Sequence, residues 1–407
     1  MSDQLKNSKV IITGATGFIG QILVPELVSA GLEVIVVGRD KARLTAAFPD
    51  LKSCTYDEMP KQGEDADLLV HLAVINNTSD VDSATFDAVN TDLTIKLAQQ
   101  ARDMNIRQFV NVSSLHALPD GPQTDYARSK RAAITKLEQM QLTFITTLFL
   151  PAVYGDRFAG KLAKLNNLPR PVARALFALL AAAKPTLHIS RLTQTLINMI
   201  GQQNPATLIL TDGQENNLIY RGIKRSLDLL FVVTIIGLLW WLLLGVWIAV
   251  KVGSAGPGIF AQERVGQFGK IFTCYKFRTM QQGTKHMGTH EVSAASVTKL
   301  GRILRKTKID ELPQIWNLLC NDMSLIGPRP GLPVQEQLFT ARQSAGVFQV
   351  KPGISGLAQV NNIDMSDPDK LAVWDARYIA LQSLVLDFKI TIRTIRGGGQ
   401  GDKIQRV

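Results

Sequence analysis

The chain contains few of the residues that build disulfide frameworks or metal centres. Among 407 residues there are 3 cysteines and 5 histidines. Cys54, Cys274 and Cys320 are too few and too scattered for a disulfide framework, and no cysteine or histidine pair has metal-ligand spacing. The N-terminus enters a predicted strand directly, without a signal peptide. These absences predict the redox chemistry of a cytosolic protein.

One long stretch lacks both formal charge and proline. Residues 229–250 are 22 residues rich in Leu, Val, Ile and Trp. As a helix they would extend about 33 Å, enough to cross a bilayer core. Basic residues flank the stretch on both sides, which favours keeping both ends cytoplasmic. The sequence therefore predicts a re-entrant membrane helix within residues 221–252, with a kink at Gly237 or Gly245 because no proline is available.

The positive charge is confined to one half of the chain. Residues 1–220 hold 21 basic and 21 acidic residues, whereas residues 221–407 hold 24 basic and 13 acidic ones, so the whole excess of +11 lies there. A basic half can indicate nucleic acid. Beside a membrane segment, an anionic lipid surface and a polyanionic substrate explain the charge better. We therefore expect no nucleic-acid partner.

The N-terminal third has the pattern of a dinucleotide-binding fold. An apolar strand leads into a turn with Gly14, Gly17 and Gly20, spaced so that the backbone can approach a pyrophosphate at a helix N-terminus. Further buried strands are predicted at 33–37, 67–73 and 108–114, alternating with helices. This alternation predicts a Rossmann-like, doubly wound parallel sheet.

Three side chains in this region have the chemistry of an oxidoreductase. Tyr126 and Lys130 are four residues apart and share a helical face, so the ammonium can lower the pKa of the tyrosine for acid–base work. Ser114, at a strand end, can hold a substrate carbonyl or alcohol. Arg39 follows the second strand and suggests a 2′-phosphate partner, hence NADP(H), although the adjoining Asp40 leaves NAD(H) open.

With its glycine-rich turn and His71-Leu72-Ala73, this set resembles the extended short-chain dehydrogenase/reductases, a group of sugar-nucleotide epimerases, dehydratases and reductases. The resemblance implies that Ser114, Tyr126 and Lys130 are catalytic. It also implies a set of cofactor-binding residues, namely Gly14, Gly17, Gly20, Arg39 and Ala73.

The richest chemical pattern lies near residue 310. Asp310 and Glu311 precede Pro313, which suits a first helical turn, so their carboxylates would lie at the positive end of a helix. Arg329 is held between two prolines and is pre-organised to bind phosphate oxygens. An aspartate can attack phosphorus while its neighbour serves acid–base or metal chemistry.

The blocks DELPQ (310–314), DMSL (322–325) and GPRP (327–330) closely resemble the bacterial sugar transferases, the monotopic polyprenyl-phosphate phosphoglycosyl transferases. QERVG at 262–266, YKFRTM at 275–280 and the segment 351–360 extend the match over nearly all of 221–400. The resemblance implies transfer of a sugar-1-phosphate from a UDP-sugar to undecaprenyl phosphate, with release of UMP. It implies Asp310 as nucleophile and Mg²⁺ ligand and Glu311 as its partner. It further implies phosphate-binding roles for a set of basic residues, Lys276, Arg278, Arg329 and Arg264.

We therefore expect three segments: a dinucleotide-binding domain (1–220), the membrane helix (221–252) and a small, mainly helical transferase domain (253–407). Both soluble domains are expected on the cytoplasmic face of the bacterial inner membrane, and a homodimer is left open. The expected function is bifunctional. An NADP(H)-dependent UDP-4-keto-sugar reductase supplies a transferase that starts an O-antigen, capsule or other exopolysaccharide repeat.

Two alternatives stay open for the N-terminal half: an epimerase or dehydratase, or a silent nucleotide-binding or dimerisation module. The apolar helix predicted over residues 171–184 either closes the substrate lobe or rests on the membrane.

Overall fold

A computed structural model of the chain describes residues 8–76, 79–158, 160–201, 206–281, 283 and 296–399. The chain divides into two compact units, one formed by residues 1–176 and 185–212, the other by residues 177–184 and 213–407. The second unit therefore takes in a short segment, 177–184, that lies N-terminal to the boundary expected at residue 220.

The first unit is built on a parallel sheet. Its strands are β1 (Lys9–Thr13), β2 (Glu33–Gly38), β3 (Lys52–Thr55), β4 (Leu68–His71), β5 (Gln108–Ser114), β6 (Ile145–Leu150), β7 (Ala152–Tyr154), β8 (Thr186–His188) and β9 (Ala206–Ile209). Seven of them pair in parallel in the order β3-β2-β1-β4-β5-β6-β9, while β7 and β8 form a separate pair. The order reverses between β1 and β4, which makes the sheet doubly wound, as predicted.

Helices cover both faces of this sheet. The helices of the first unit are α1 (Phe18–Ser29), α2 (Lys41–Ala47), α3 (Met59–Gln62), α4 (Ser83–Asp87), α5 (Leu93–Asp103), α6 (Asp125–Gln139) and α8 (Ile189–Met199). Helix α7 (Arg170–Ala183) begins in the first unit and ends in the second. Val10 and Ile12 of β1 belong to one buried cluster, and Ile11 between them belongs to another. Because successive strand residues point to opposite faces, the unbroken apolar run in β1 follows from burial on both sides.

The second unit is small and mainly helical, as predicted. Its elements are α9 (Leu218–Gly253), β10 (Ile259–Val265), β11 (Ile271–Phe277), α10 (Lys299–Thr307), α11 (Ile315–Leu319), β12 (Ser324–Ile326), α12 (Glu336–Ser344), β13 (Gly353–Ser355), α13 (Leu357–Val360), α14 (Pro368–Leu381) and α15 (Leu384–Ile395). Strands β10 and β11 pair antiparallel, and β12 pairs with β13 in parallel. A 3₁₀ helix, Ile309–Gln314, connects α10 to α11.

Helix α9 is continuous over 36 residues, whereas the prediction was a re-entrant helix with a kink at Gly237 or Gly245. Gly237 and Gly245 both lie inside the helix. Glycine lowers helix stability but keeps its N–H, so the hydrogen-bond ladder survives where a proline would interrupt it. Among the described residues α9 alone is long and apolar enough to cross a membrane, and 11% of its most apolar window is buried.

One face of α9 packs on the rest of its own unit along much of the helix. Asp228 near its start accepts hydrogen bonds from the Ser324 hydroxyl (3.1 Å) and the Leu325 N–H (2.8 Å). Val232 joins a buried cluster with β11 and α11, and Val250, near the other end, joins one with β11 and α10. Residues 228, 232 and 250 share a helical face. Both ends of α9 are therefore held by the same domain.

Candidate functional site

The acidic pair lies in the first turn of the 3₁₀ helix. Lys308 ends α10 in the left-handed conformation (φ 58°), and the chain then enters this tighter turn directly. Pro313 consequently lies inside the 3₁₀ helix, whereas the prediction was the first turn of the following helix. That helix, α11, begins at Ile315. Asp310 is 9% exposed. The turn thus places two carboxylates at a mostly buried position.

Two cations hold Glu311. Lys276 Nζ lies 2.9 Å from Glu311 Oε1, and Arg329 Nη1 lies 3.5 Å from the same oxygen. Burial would raise the pKa of Glu311, but Lys276 and Arg329 outweigh it and lower the pKa to about 2. Glu311 is therefore ionised at neutral pH and fixes the two cations at one point.

Asp310 has the opposite electrostatic balance. Burial raises its pKa, the like charge of Glu311 raises it further, and Lys276, Arg305 and Arg329 only partly oppose these effects. The two neighbouring carboxylates are thus differentiated, with one firmly ionised and the other easier to protonate. Groups that differ in this way can take different chemical roles.

A small cleft opens beside this turn. It is lined by Arg264, Cys274, Lys276, Glu311, Gln314, Arg329, Pro330, Gly353 and Ile354. Three of the four predicted phosphate-binding cations therefore meet in one place. The Arg264 guanidinium is oriented by hydrogen bonds that it donates to the Pro330 carbonyl (3.0 Å) and the Gln262 side-chain oxygen (2.7 Å).

Arg278, the fourth predicted phosphate-binding residue, does not line this cleft. Its Nη2 donates to the Ser254 carbonyl (2.8 Å) and hydroxyl (2.9 Å), just beyond the end of α9. The side chain is buried, and its Nε and Nη1 have no hydrogen-bond partner among the described residues. Arg278 thus lies at the C-terminal end of α9, with two nitrogen donors that no described residue accepts from.

Asn317 is a residue of the site that the sequence did not reveal. Its Nδ2 donates to the Thr273 carbonyl (2.7 Å), and its Oδ1 accepts from the Tyr275 N–H (3.2 Å). The side chain is fully buried. Asn317 therefore ties α11 to β11, the strand that carries Lys276, and so sets the lysine against Glu311. The available signal was a single amide in the apolar run IWNLL.

The oxygen donors of this turn fit a magnesium ion that shares its ligands with substrate. Mg²⁺ is usually bound by one or two carboxylates together with substrate phosphates. Asp310 supplies such a carboxylate. No cluster of three or more His, Cys, Asp or Glu occurs among the residues that the structure describes. The residues therefore suit a substrate-shared ion better than an all-protein cage.

The predicted cofactor glycines lie at the switch point of the sheet. Gly14 follows β1 with φ +73°, and a Cβ there would come within 2.6 Å of the Ala73 nitrogen, just beyond β4. Gly17 is the N-cap of α1 and offers no side-chain cap to the first helical turn. A Cβ on Gly20 would clash with the Ala15 backbone at 2.5 Å. The open helix N-terminus fits a dinucleotide pyrophosphate.

The predicted catalytic set comes together only in part. Tyr126 is hydrogen-bonded to Ser114; burial raises the pKa of the tyrosine, and this bond partly offsets the increase. Lys130 Nζ donates instead to the Val112 carbonyl (3.1 Å), and burial lowers its pKa to about 7. Lys130 therefore does not lower the pKa of Tyr126 as expected, because the lysine donates to a backbone carbonyl.

Arg39 and Asp40, which follow β2, have different environments. The Asp40 carboxylate accepts from the Arg43 N–H at 3.0 Å and caps α2. Arg39 is exposed and close enough to Tyr56 to act on it: burial raises the tyrosine's pKa and the arginine opposes this. Asp40 is thus occupied as a helix cap, whereas the Arg39 side chain remains exposed.

Comparisons with known proteins agree with this two-part organisation. Residues 219–399 match the profile of the "Bacterial sugar transferase" family, and residues 10–195 match that of the "NAD dependent epimerase/dehydratase family". The chain is 37% identical over 223 residues to the UDP-N-acetylgalactosamine-undecaprenyl-phosphate N-acetylgalactosaminephosphotransferase of Aeromonas hydrophila, covering 52% of each protein. It therefore spans about half the length of that relative.

A second relative is covered more fully. Over 182 residues the chain is 37% identical to the UDP-glucose:undecaprenyl-phosphate glucose-1-phosphate transferase of Caulobacter vibrioides. The aligned region covers 42% of this chain and 68% of that relative. Among solved structures, the UDP-N-acetylglucosamine 4-epimerase from Bacillus cereus is 22% identical, covers 50% of this chain and 76% of its own, and has a TM-score of 0.40. The chain belongs to the bacterial sugar transferase family, with a domain of the NAD-dependent epimerase/dehydratase type fused before the transferase domain.

Proposed function

We propose that this chain is a bifunctional membrane enzyme. Its second unit transfers a sugar-1-phosphate from a UDP-sugar to undecaprenyl phosphate and releases UMP. Its first unit is an NADP(H)-dependent reductase that makes the UDP-sugar from a UDP-4-keto sugar. The observation that carries the transferase proposal is the Asp310–Glu311 turn beside a cleft that gathers Arg264, Lys276 and Arg329.

The first half-reaction uses Asp310 as nucleophile. A carboxylate oxygen attacks the sugar-bearing phosphorus of the UDP-sugar, the bond between that phosphorus and the bridging oxygen breaks, and UMP leaves with the electron pair. An aspartyl phospho-sugar remains on the enzyme. In this proposal Lys276 and Arg329, which pair with Glu311, neutralise the phosphate oxygens as negative charge develops on them.

The second half-reaction restores the carboxylate. A phosphate oxygen of the polyprenyl phosphate attacks the same phosphorus, the acyl-phosphate bond breaks, and a lipid diphospho-sugar departs. Asp310 would hold Mg²⁺ together with the substrate diphosphate, and the ion would supply further neutralisation of phosphate charge. We further propose that Arg278, a buried residue at the end of α9 with unused donors, binds the phosphate of the lipid acceptor.

Both units lie on the cytoplasmic side of the inner membrane in this proposal. Two relatives act on undecaprenyl phosphate by name, and α9 is a candidate membrane segment. Because residues near both ends of α9 pack on the same domain, a single pass would draw that domain through the bilayer. We infer that α9 enters the membrane from one side only, next to cytoplasmic UDP-sugar.

In the first unit, Tyr126 donates its proton to the carbonyl oxygen of the sugar, and the Ser114 hydroxyl orients that oxygen. NADPH, when bound, supplies the hydride. Lys130, which is buried and donates to a backbone carbonyl, completes the catalytic set in this proposal. The Arg39 guanidinium selects the 2′-phosphate.

A second candidate, a UDP-sugar epimerase, is favoured by the matched family profile. The two activities differ in net chemistry. A reductase consumes one NADPH for each product, whereas an epimerase returns its nucleotide unchanged after every turnover.

The transferase proposal is tested with the full-length protein in nanodiscs. UDP-N-acetylgalactosamine and UDP-glucose are offered with and without undecaprenyl phosphate, and UMP is measured. We expect one equivalent of UMP per enzyme without acceptor and continuous release with it. Asp310→Asn should abolish both while NADPH binding persists. Substantial turnover by Asp310→Asn would refute the covalent role of this residue.

The reductase proposal is tested by NADPH oxidation with a UDP-4-keto-6-deoxy-N-acetylhexosamine. Consumption that Tyr126→Phe loses, with UMP release from a finished UDP-sugar unaffected in that variant, supports the assignment. Absence of consumption, with interconversion of UDP-sugars at constant NAD(P)(H), would replace the reductase with the epimerase. Absence of both activities would leave a silent binding module.

A further inference from the structure

Helix α7 leaves an apolar face uncovered. Val172, Leu176, Leu179 and Leu180 are 46%, 41%, 47% and 46% exposed. Their spacing places these side chains on one face of the helix, whereas Ala182 of the same helix is fully buried. A contiguous apolar stripe of this kind on a surface marks an interaction site.

The chain around α7 carries charge of one sign only. From Arg157 to Thr211 there is no acidic residue, although the first 220 residues balance overall. The basic residues in this interval are Arg157, Lys161, Lys164, Arg170, Arg174, Lys184 and Arg191. Arg170, Arg174 and Lys184, within and directly after α7, are exposed. An apolar helical face with basic surroundings is complementary to an anionic lipid surface.

The end of α7 is fixed to the start of the apolar helix α9. Asn217 caps α9 through the Tyr220 N–H (3.1 Å) and donates with its Nδ2 to the Ala178 carbonyl (3.0 Å). Gln214 Nε2 donates to the Ala181 carbonyl at 2.6 Å. Residues 177–184 belong to the same compact unit as α9. The segment of α7 that carries Leu179 and Leu180 is therefore held next to the start of α9.

We propose that α7 lies in the interfacial layer of an anionic bilayer, as a membrane contact additional to α9. The proposal rests on the membrane attachment of α9 argued above. A second copy of the chain is the competing occupant of this face. Pairing two copies through it would bring two acid-free, basic segments together, which like-charge repulsion opposes.

The test measures the depth of α7 with fluorescent labels on the full-length protein in nanodiscs rich in phosphatidylglycerol. Cys320→Ser removes the exposed native thiol, since Cys54 and Cys274 are buried. Single cysteines then replace Leu179 in α7, Leu238 in α9 and Arg102 in α5, and nitroxide-bearing lipids serve as quenchers. We expect strong quenching at 179 and 238 and little at 102.

The outcomes distinguish the membrane contact of α7 from the membrane attachment of α9. Quenching at 238 without quenching at 179 overturns the α7 contact and leaves the attachment of α9 standing. Absence of quenching at both positions overturns both. Short label-to-label distances between copies at position 179, without lipid quenching, assign the face to a second copy of the chain.

Charge variants test the lipid specificity. Arg170→Gln/Arg174→Gln/Lys184→Gln should reduce quenching at 179 in anionic nanodiscs and leave the smaller signal in zwitterionic ones unchanged. High salt should have the same effect as these substitutions, because it screens exposed charges. UMP release serves as the folding control, since none of these residues contributes to the transferase site. Equal quenching in all lipids would overturn the anionic preference.

Discussion

Lys224 Nζ in the second turn of α9 lies 2.7 Å from Asp387 Oδ2 in α15. The pair is largely buried, with side chains 18% and 10% exposed. The Tyr220 and Tyr378 hydroxyls each donate to Asp387 at 2.8 Å, and Lys224 also donates to the Ile326 carbonyl at 2.9 Å. The Asp387 carboxylate thus joins the start of α9 to α15, and Lys224 extends this link to the strand that leads to Arg329.

Removing this carboxylate should destabilise the second unit. Asp387→Ala leaves Lys224 and two tyrosine hydroxyls without their buried acceptor, at a cost of about 3–5 kcal/mol. The expected result is a lower midpoint for thermal unfolding in detergent, and reduced UMP release as the Arg329 loop loosens.

Two variants control this experiment. Lys224→Met/Asp387→Leu replaces the pair with apolar side chains and should recover part of the lost stability. Lys389→Ala, at an exposed position of the same helix, should change little. An unfolding midpoint unaffected by Asp387→Ala would contradict the structural role of the cluster.

Asn317→Ala should impair catalysis without touching a reacting atom. It strips two hydrogen bonds from the backbone of β11 beside Lys276, and leaving such buried groups unpaired costs about 1–3 kcal/mol. We expect a lower kcat for UMP release at saturating UDP-sugar. Asn317→Asp can keep the acceptor for the Tyr275 N–H, and it should lose less activity than alanine if positioning is the cause. Equal losses in the two variants would count against that cause.

The pH profile of the transferase should have an acid limb set by Asp310. This residue attacks as a carboxylate, and its pKa is raised by burial and by Glu311, so activity should fall as the pH drops through the raised pKa. Lys276 opposes the rise. Lys276→Met should therefore move the acid limb to higher pH, whereas Lys276→Arg, which keeps the charge, should hold it nearly in place. Rate–pH curves for UMP release check this, and an unmoved limb in Lys276→Met would contradict it.

The same lysine should affect acid stability. Because the pKa of Glu311 is lowered to about 2, its ionised form contributes stability that is present above the unfolded-state value and is lost as pH falls towards 2. Unfolding midpoints of Lys276→Met should therefore be lower than those of the native protein near pH 7. The difference should shrink in strong acid, where Glu311 is protonated in both proteins.

Arg39→Ala should change cofactor choice. Loss of a charge-assisted hydrogen bond to the 2′-phosphate, worth about 1.5–3 kcal/mol, should weaken NADPH binding by at least about tenfold and leave NADH nearly unaffected. Fluorescence titration of both nucleotides measures this. Arg102→Ala, a surface change at a helix end, is the matched control. Equal weakening of NADPH and NADH would refute the assignment of Arg39.

The sequence predicted most of what depends on local pattern. Gly14 and Gly17 predicted the glycine-rich turn because their spacing is typical of a strand that turns tightly into a helix. Asp310 and Glu311 stood out because their surrounding blocks are distinctive. Hydrogen bonds between residues far apart in the chain could not be predicted in this way. Which acceptor Lys130 would find, and that Asn317 would bridge two elements, depend on residues distant in the chain.

The continuity of α9 escaped prediction for a different reason. Glycine leaves both straight and bent helices open, and the outcome depends on what the rest of the unit offers as a packing surface. Here residues 228, 232 and 250 find partners along one face, and the helix remains whole.

A helix that packs near both ends on its own domain does not need to match the hydrocarbon thickness of the membrane. Proteins that bridge two aqueous phases lose fractions of a kcal/mol for each ångström of mismatch, and membranes of different thickness sort them accordingly. Transfer by this enzyme should therefore proceed at similar rates in bilayers of short and long acyl chains. Under the proposal that α9 enters the membrane from one side, an organism that changes its lipid chain length with temperature would retain the activity, because the helix would contact a single leaflet.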